Sequence, residues 1–121
     1  MSDMITKEII GASIEVHKVL GCGLLESIYE EALCHEFNLQ NIHYERQYEI
    51  DVIYKNKRIR GQRLDLLVSR EVIVEIKSLR RLPDVATAQI LSYLKATKLN
   101  RGLIINFGET RLVDGIKRIA L

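Results

Sequence analysis

Apolar residues recur every three or four positions near the N-terminus, at Ile5, Ile9, Ala12, Val16 and Leu20, which predicts an amphipathic helix over residues 4 to 20. Gly21 and Gly23 follow and suit the left-handed turn that stops a helix. A second stripe, Leu25, Ile28, Ala32, Leu33 and Phe37, runs up to the polar stretch Asn38 to Asn41, so two helices meet at a glycine corner. From Tyr44 the period shortens to two. Tyr44, Arg46, Tyr48 and Ile50 are expected on one side of a strand that continues through Asp51 to Tyr54. Lys55-Asn56-Lys57 reads as a hairpin turn, and the return strand begins near Arg58 and ends in Leu64 to Val68. After Ser69 and Arg70 comes a third antiparallel strand, Val72 to Lys77. Pro83 and Asp84 open a helix whose buried face is Ile90, Leu91 and Leu94 and which runs to about Lys98. Leu103-Ile104-Ile105 is apolar throughout, as a central strand covered on both faces requires, and Ile116 to Ile119 supplies an edge strand. The expected order is α-α-β-β-β-α-β-β in a single domain spanning residues 1 to 121.

The third strand carries charge where its neighbours are apolar. Alternation sends Val72, Val74 and Ile76 to one face and Ile73, Glu75 and Lys77 to the other. Burying a carboxylate or an ammonium there is costly without a partner. A three-residue turn at Ser69 to Glu71 pairs Val68 with Val72 and sets Asp65 opposite Glu75; a two-residue turn slips the register and separates them. Adjacent carboxylates raise each other's pKa unless a cation lies between them, and a hard divalent ion bound through oxygen is the natural occupant. Asp65, Glu75 and the backbone carbonyl of Ile76 are the expected ligands, with magnesium as the ion and manganese as its substitute. Lys77, on the same face, is expected to reach a phosphate or an attacking water, which together is the apparatus of phosphodiester hydrolysis. The plainer alternative is an ion-pair patch that fixes the sheet register.

Composition narrows the classes. The 121 residues are 47% hydrophobic and 28% charged, with a net charge of +2, which allows contact with a polyanion without requiring it. No apolar run approaches the roughly 20 residues of a membrane span, and the N-terminus lacks the features of a signal peptide, so a cytoplasmic protein with no membrane partner is expected. Cys22 and Cys34 are too few for a disulfide framework, and His17, His35 and His43 do not combine with them into a zinc spacing. Both cysteines are expected to be packing residues.

Four segments resemble one family. Gly23-Leu24-Leu25-Glu26-Ser27-Ile28-Tyr29 is similar to the motif that names the GxxExxY family of the PD-(D/E)XK nuclease-like superfamily. Asp65 with Glu75-Ile76-Lys77 resembles the acidic residue and ExK motif of that superfamily, and Gln89 to Tyr93 resembles the QxxxY motif of its RecB-like branch. Gly102 to Gly108 is similar to the family's closing stretch. Leu64 stands where the superfamily's name places a proline, which removes no ligand.

The resemblance implies an α/β (α+β) restriction-endonuclease-like core, with a mixed sheet flanked by helices. It implies Glu26 as a further metal ligand, Asp65 and Glu75 as the principal ones, Lys77 as the catalytic lysine, and Gln89 and Tyr93 as supporting residues one helical turn apart. Glu26 can instead complement a helix dipole, and Tyr29 can be a packing residue with a bonded hydroxyl. Lys55, Lys57, Arg58, Arg60, Arg63, Arg80 and Arg81 are candidates for phosphate contacts, although for any one of them a solvated edge that discourages sheet-to-sheet association is the readier explanation. The resulting expectation is a nuclease acting on DNA or RNA, with a homodimer as a possible assembly. The alternative is a non-catalytic nuclease-fold module that binds nucleic acid or a protein.

Overall fold

Asp3 opens the first helix, α1 (Met4–Leu20), by accepting the Thr6 N–H at 3.1 Å, the capping bond that satisfies an otherwise orphan donor. Gly21 closes α1 at φ +72° and donates its N–H to the His17 carbonyl. The second helix, α2 (Glu26–Leu39), starts after the glycine corner. Tyr29 braces that corner: its hydroxyl donates to the Gly21 carbonyl at 2.6 Å and accepts the Leu24 N–H at 3.2 Å. Its ring stacks on Phe107 with centroids 4.5 Å apart. The structure, a computed structural model, describes residues 3–121.

Strands β1 (Tyr44–Tyr54) and β2 (Lys57–Val68) are joined by Lys55 and Asn56, both at positive φ, as a two-residue hairpin of the right twist demands. β3 (Val72–Lys77) pairs antiparallel with β2, and Val68 faces Val72, so the connecting turn takes three residues. A crossover through α3 (Val85–Thr97) brings β4 (Arg101–Asn106) back parallel to β3. A short 3-10 turn at Leu112–Gly115 leads to β5 (Ile116–Ala120), antiparallel to β4. The sheet order is β1-β2-β3-β4-β5, a mixed sheet in the expected element order.

Two apolar layers hold the sheet. Ile9, Val16, Leu33 and Phe37 of α1 and α2 pack on Leu66, Val74, Ile76, Leu103 and Ile105. Ile90, Tyr93 and Leu94 of α3 pack on Leu67, Ile73 and Ile104. β4 therefore buries both faces, which explains its unbroken apolar run.

Two expectations are corrected. Cys34 is buried, but Cys22 is exposed and packs against nothing that buries it. Tyr44, Arg46, Tyr48 and Ile50 do not share a face: Tyr44 packs with the α1–α2 layer, whereas Ile50 belongs to the α3 layer. The pleat breaks at Gln47, which lies at φ +52° and drops out of the ladder opposite Asp65. The same break appears on β2, where Leu66 faces α1 and α2 while Leu64, two residues away, faces α3.

Candidate active site

The β2–β3 ladder runs only from Val68–Val72 to Leu66–Val74 and then opens. At the next step the strands part, and side chains replace the backbone ladder. The Asp65 N–H donates to Glu75 Oε2 at 2.8 Å, and the Ile76 N–H donates to Asp65 Oδ2 at 2.8 Å. The two carboxylates thus cross-link the fork, each spending one oxygen on a backbone donor. The pleat break at Gln47 and Asp65 lets Asp65 reach across towards β3.

Burial makes this an uncomfortable place for two negative charges. Glu75 is 5% exposed, and burial, followed by repulsion from Asp65, pushes its pKa up to about 8. Asp65 is also raised, first by burial and then by the negative charges of Glu30 and Glu26, with the Ile76 N–H and Lys77 opposing. Lys77 ends β3 half-buried, the nearby cation that both carboxyls feel.

The loop beyond Lys77 is clamped. Asn106, 1% exposed at the end of β4, accepts the Leu79 and Gly108 N–H groups through Oδ1 and donates Nδ2 to the Leu79 carbonyl. The Phe107 N–H donates to the Lys77 carbonyl at 2.8 Å.

The other expected residues divide. Tyr93 is buried on α3, and its hydroxyl accepts Gln62 Nε2 at 2.8 Å. Burial and then the Glu75 charge raise its pKa. Gln89, one turn earlier, is exposed and shares a 210 Å³ cavity with Tyr93 and Gln62. Glu26 is exposed in the first turn of α2, close enough to act on Asp65 through its charge. Ile76 enters the site through its N–H.

Glu30, which the sequence reading passed over, lies one turn beyond Glu26 and is 8% exposed. Its carboxylate accepts Arg46 Nε at 2.6 Å and Gln47 Nε2 at 3.1 Å, tying α2 to the pleat break. The i, i+4 spacing from Glu26 was the available signal. Gln62, three residues before Asp65, carried no motif of its own.

Among the described residues no three His, Cys, Asp or Glu side chains converge as a ready-made metal centre. The donor set nonetheless fits a hard divalent cation. Buried Glu75 and half-buried Asp65, both with raised pKa values, supply only oxygen, and an ion of the magnesium class keeps several waters and needs only one or two carboxylates from the protein.

Three helices on a five-stranded mixed sheet form an α+β fold of the restriction-endonuclease-like kind. The family model of the PD-(D/E)XK nuclease superfamily matches residues 3–119, and the chain belongs to that superfamily. Neither the curated proteins nor the solved structures contain a match to it.

Proposed function

We propose that this protein is a magnesium-dependent nuclease of the GxxExxY, RecB-like type that hydrolyses phosphodiester bonds of DNA or RNA. The observation that carries the reading is the fork between β2 and β3, where Asp65 and Glu75 are hydrogen-bonded into one unit within reach of the charge of Lys77. Asp65 and Glu75 would hold the ion, with Glu26 and the Ile76 carbonyl as the further candidates. The bound ion supplies Lewis acidity that makes a water nucleophilic and offsets charge on the phosphoryl oxygen.

The remaining work falls to the chain's own groups. Lys77 offers its ammonium to the phosphate or the attacking water, stabilising negative charge as it builds up. Asn106 fixes the loop after Lys77, and Glu30 with Arg46 and Gln47 fixes the β1 break opposite Asp65. Tyr93 and Gln89 lie on the substrate side as positioning residues.

Labelled single-stranded, duplex and branched DNA and RNA, incubated with magnesium, test this. Cleavage of at least one substrate is expected, falling at least about 100-fold in Asp65→Ala and Lys77→Ala. Activity that survives both substitutions overturns the assignment. A second reading, a module that binds nucleic acid without cutting it, draws on the oxygens that Asp65 and Glu75 already give to backbone donors. Binding without cleavage in magnesium or manganese would establish it.

A further inference from the structure

A 210 Å³ cavity lies between the β1–β2 hairpin and α3, on the α3 side of the sheet where Tyr93 packs with Leu64 and Ile73, the neighbours of the Asp65–Glu75 fork on β2 and β3. Gln62, Gln89, Ser92 and Tyr93 form its polar side, and Ile50 and Val52 its apolar side. No charged side chain lines it. Its volume equals the liquid volume of about seven waters, below the roughly 300 Å³ at which sites for drug-sized ligands begin. One planar heterocycle is the size of group it admits.

The chemistry of the lining selects among such groups. Phosphates are held by cations, helix N-termini and backbone N–H groups, and this cavity offers no cation. Two glutamine amides present paired donors and acceptors, the pattern that reads the edge of a nucleobase. The Tyr93 hydroxyl already accepts one Gln62 N–H, which fixes that amide and leaves its carbonyl oxygen and second N–H for a ligand. The two aliphatic side chains form a wall for the ring faces.

Position argues the same way. Gln62 stands three residues before Asp65 on β2, and Tyr93 lies within the influence of the Glu75 charge. A larger cavity, about 610 Å³, carries Glu45, Glu49 and Asp51 against Arg58 and Arg70, a net negative lining that repels a polyanion. A strand approaching Asp65 and Glu75 therefore meets the neutral cavity, with the exposed cations Arg60, Arg80 and Arg81 outside it for the backbone.

We infer that the Gln62–Gln89–Tyr93 cavity is a nucleobase pocket, which receives one unpaired base of the strand whose phosphate lies at the Asp65–Glu75 fork. The inference rests on the nuclease reading and adds to it a substrate class: the nucleotide next to the cut is unstacked and unpaired, so single strands, ends or flaps are the preferred substrates.

The test is equilibrium binding in EDTA of a fluorescently labelled ten-nucleotide single strand, compared with a strand of the same length that is abasic throughout. Wild type is expected to prefer the strand with bases by about tenfold, the contribution of one well-held base. Ala96→Phe and Ser92→Phe introduce a ring at exposed positions lining the cavity, and circular dichroism verifies their fold. In both, the ratio of the two affinities is expected to fall close to one, and Gln62→Ala with Gln89→Ala is expected to lower it as well. Wild type that binds the two strands equally, or binds neither, overturns the inference, as does a preference that survives both plugging substitutions. Cleavage in magnesium is scored separately: a wild type that keeps the base preference yet never cuts contradicts the nuclease reading and leaves the pocket standing.

Discussion

Glu75 carries a proton across much of the range in which carboxyls are ordinarily ionised. Its folded pKa of about 8 stands against 4.5 in the unfolded chain. Between those values the folded state binds a proton that the unfolded state has lost, so stability falls as pH rises through this window. The slope from this one group is at most about 1.4 kcal/mol per pH unit. Without divalent cations, Glu75→Gln is expected to flatten that portion of the stability profile, measured by denaturant unfolding from pH 4.5 to 8. An undiminished slope would mean that Glu75 is not buried against Asp65. Tyr29 offers a separate check on the GxxExxY segment. Its hydroxyl bonds Gly21 and Leu24 and its ring stacks on Phe107, so its role is to fold the corner. Tyr29→Phe should cost about 1–2 kcal/mol in unfolding free energy while leaving cleavage per folded molecule intact.

At the scale of elements, the fork depends on what fixes the loop after β3. Asn106 binds both backbone groups of Leu79 and the N–H of Gly108, and its removal leaves half-buried backbone groups unpaired. Asn106→Ala is expected to destabilise the fold by about 2–3 kcal/mol and to loosen the segment that follows Lys77, which hydrogen exchange at Leu79 reports. Gly108 is tighter still. A Cβ there would lie 2.2 Å from the Leu79 carbonyl oxygen, a backbone atom held by Asn106. Gly108→Ala should therefore lower the midpoint of thermal unfolding more than a surface Gly11→Ala, where nothing lies within 4 Å.

These same elements show how far the pattern of residues could be followed. The strands and the two candidate registers at the Ser69 to Glu71 turn are readable from apolar alternation, but turn length is not, and the Val68–Val72 pairing in the structure selects the three-residue case that brings Asp65 towards Glu75. Helix limits follow from the apolar stripes and the glycine corner. The break at Gln47 is not readable: a glutamine at positive φ carries no turn signal, and only the tertiary bond to Glu30 reveals the need for it. Asn106 carries no signal of its own in the sequence: two of its three hydrogen bonds go to Leu79, 27 residues away, and the third to Gly108. Gln62 sits in an exposed-looking stretch and acquires a role only once α3 brings Tyr93 to it.

For the molecule as a whole, a mixed sheet between two helical layers leaves its charged fork open at one end, with cations distributed around it. Arg58 and Arg63 are partly engaged by Asp51 and Glu49, whereas Arg60, Arg80 and Arg81 have no ion pair among the described residues. Arg60→Ala with Arg80→Ala is expected to weaken nucleic-acid binding for every sequence alike and to reduce the slope of log K against log salt by up to about two. No helix of the described chain is long and apolar enough to cross a membrane.

Hydrolysis at the Asp65–Glu75 fork requires that the fork take a divalent cation. Manganese titrated into the protein at neutral pH, with the thermal unfolding midpoint as the readout, measures this directly. Wild type should be stabilised by about 2.7 kcal/mol when the free ion reaches 100 times its dissociation constant, and Asp65→Asn should abolish the shift. A wild-type midpoint that does not move, or a shift of equal size in Asp65→Asn, would contradict it.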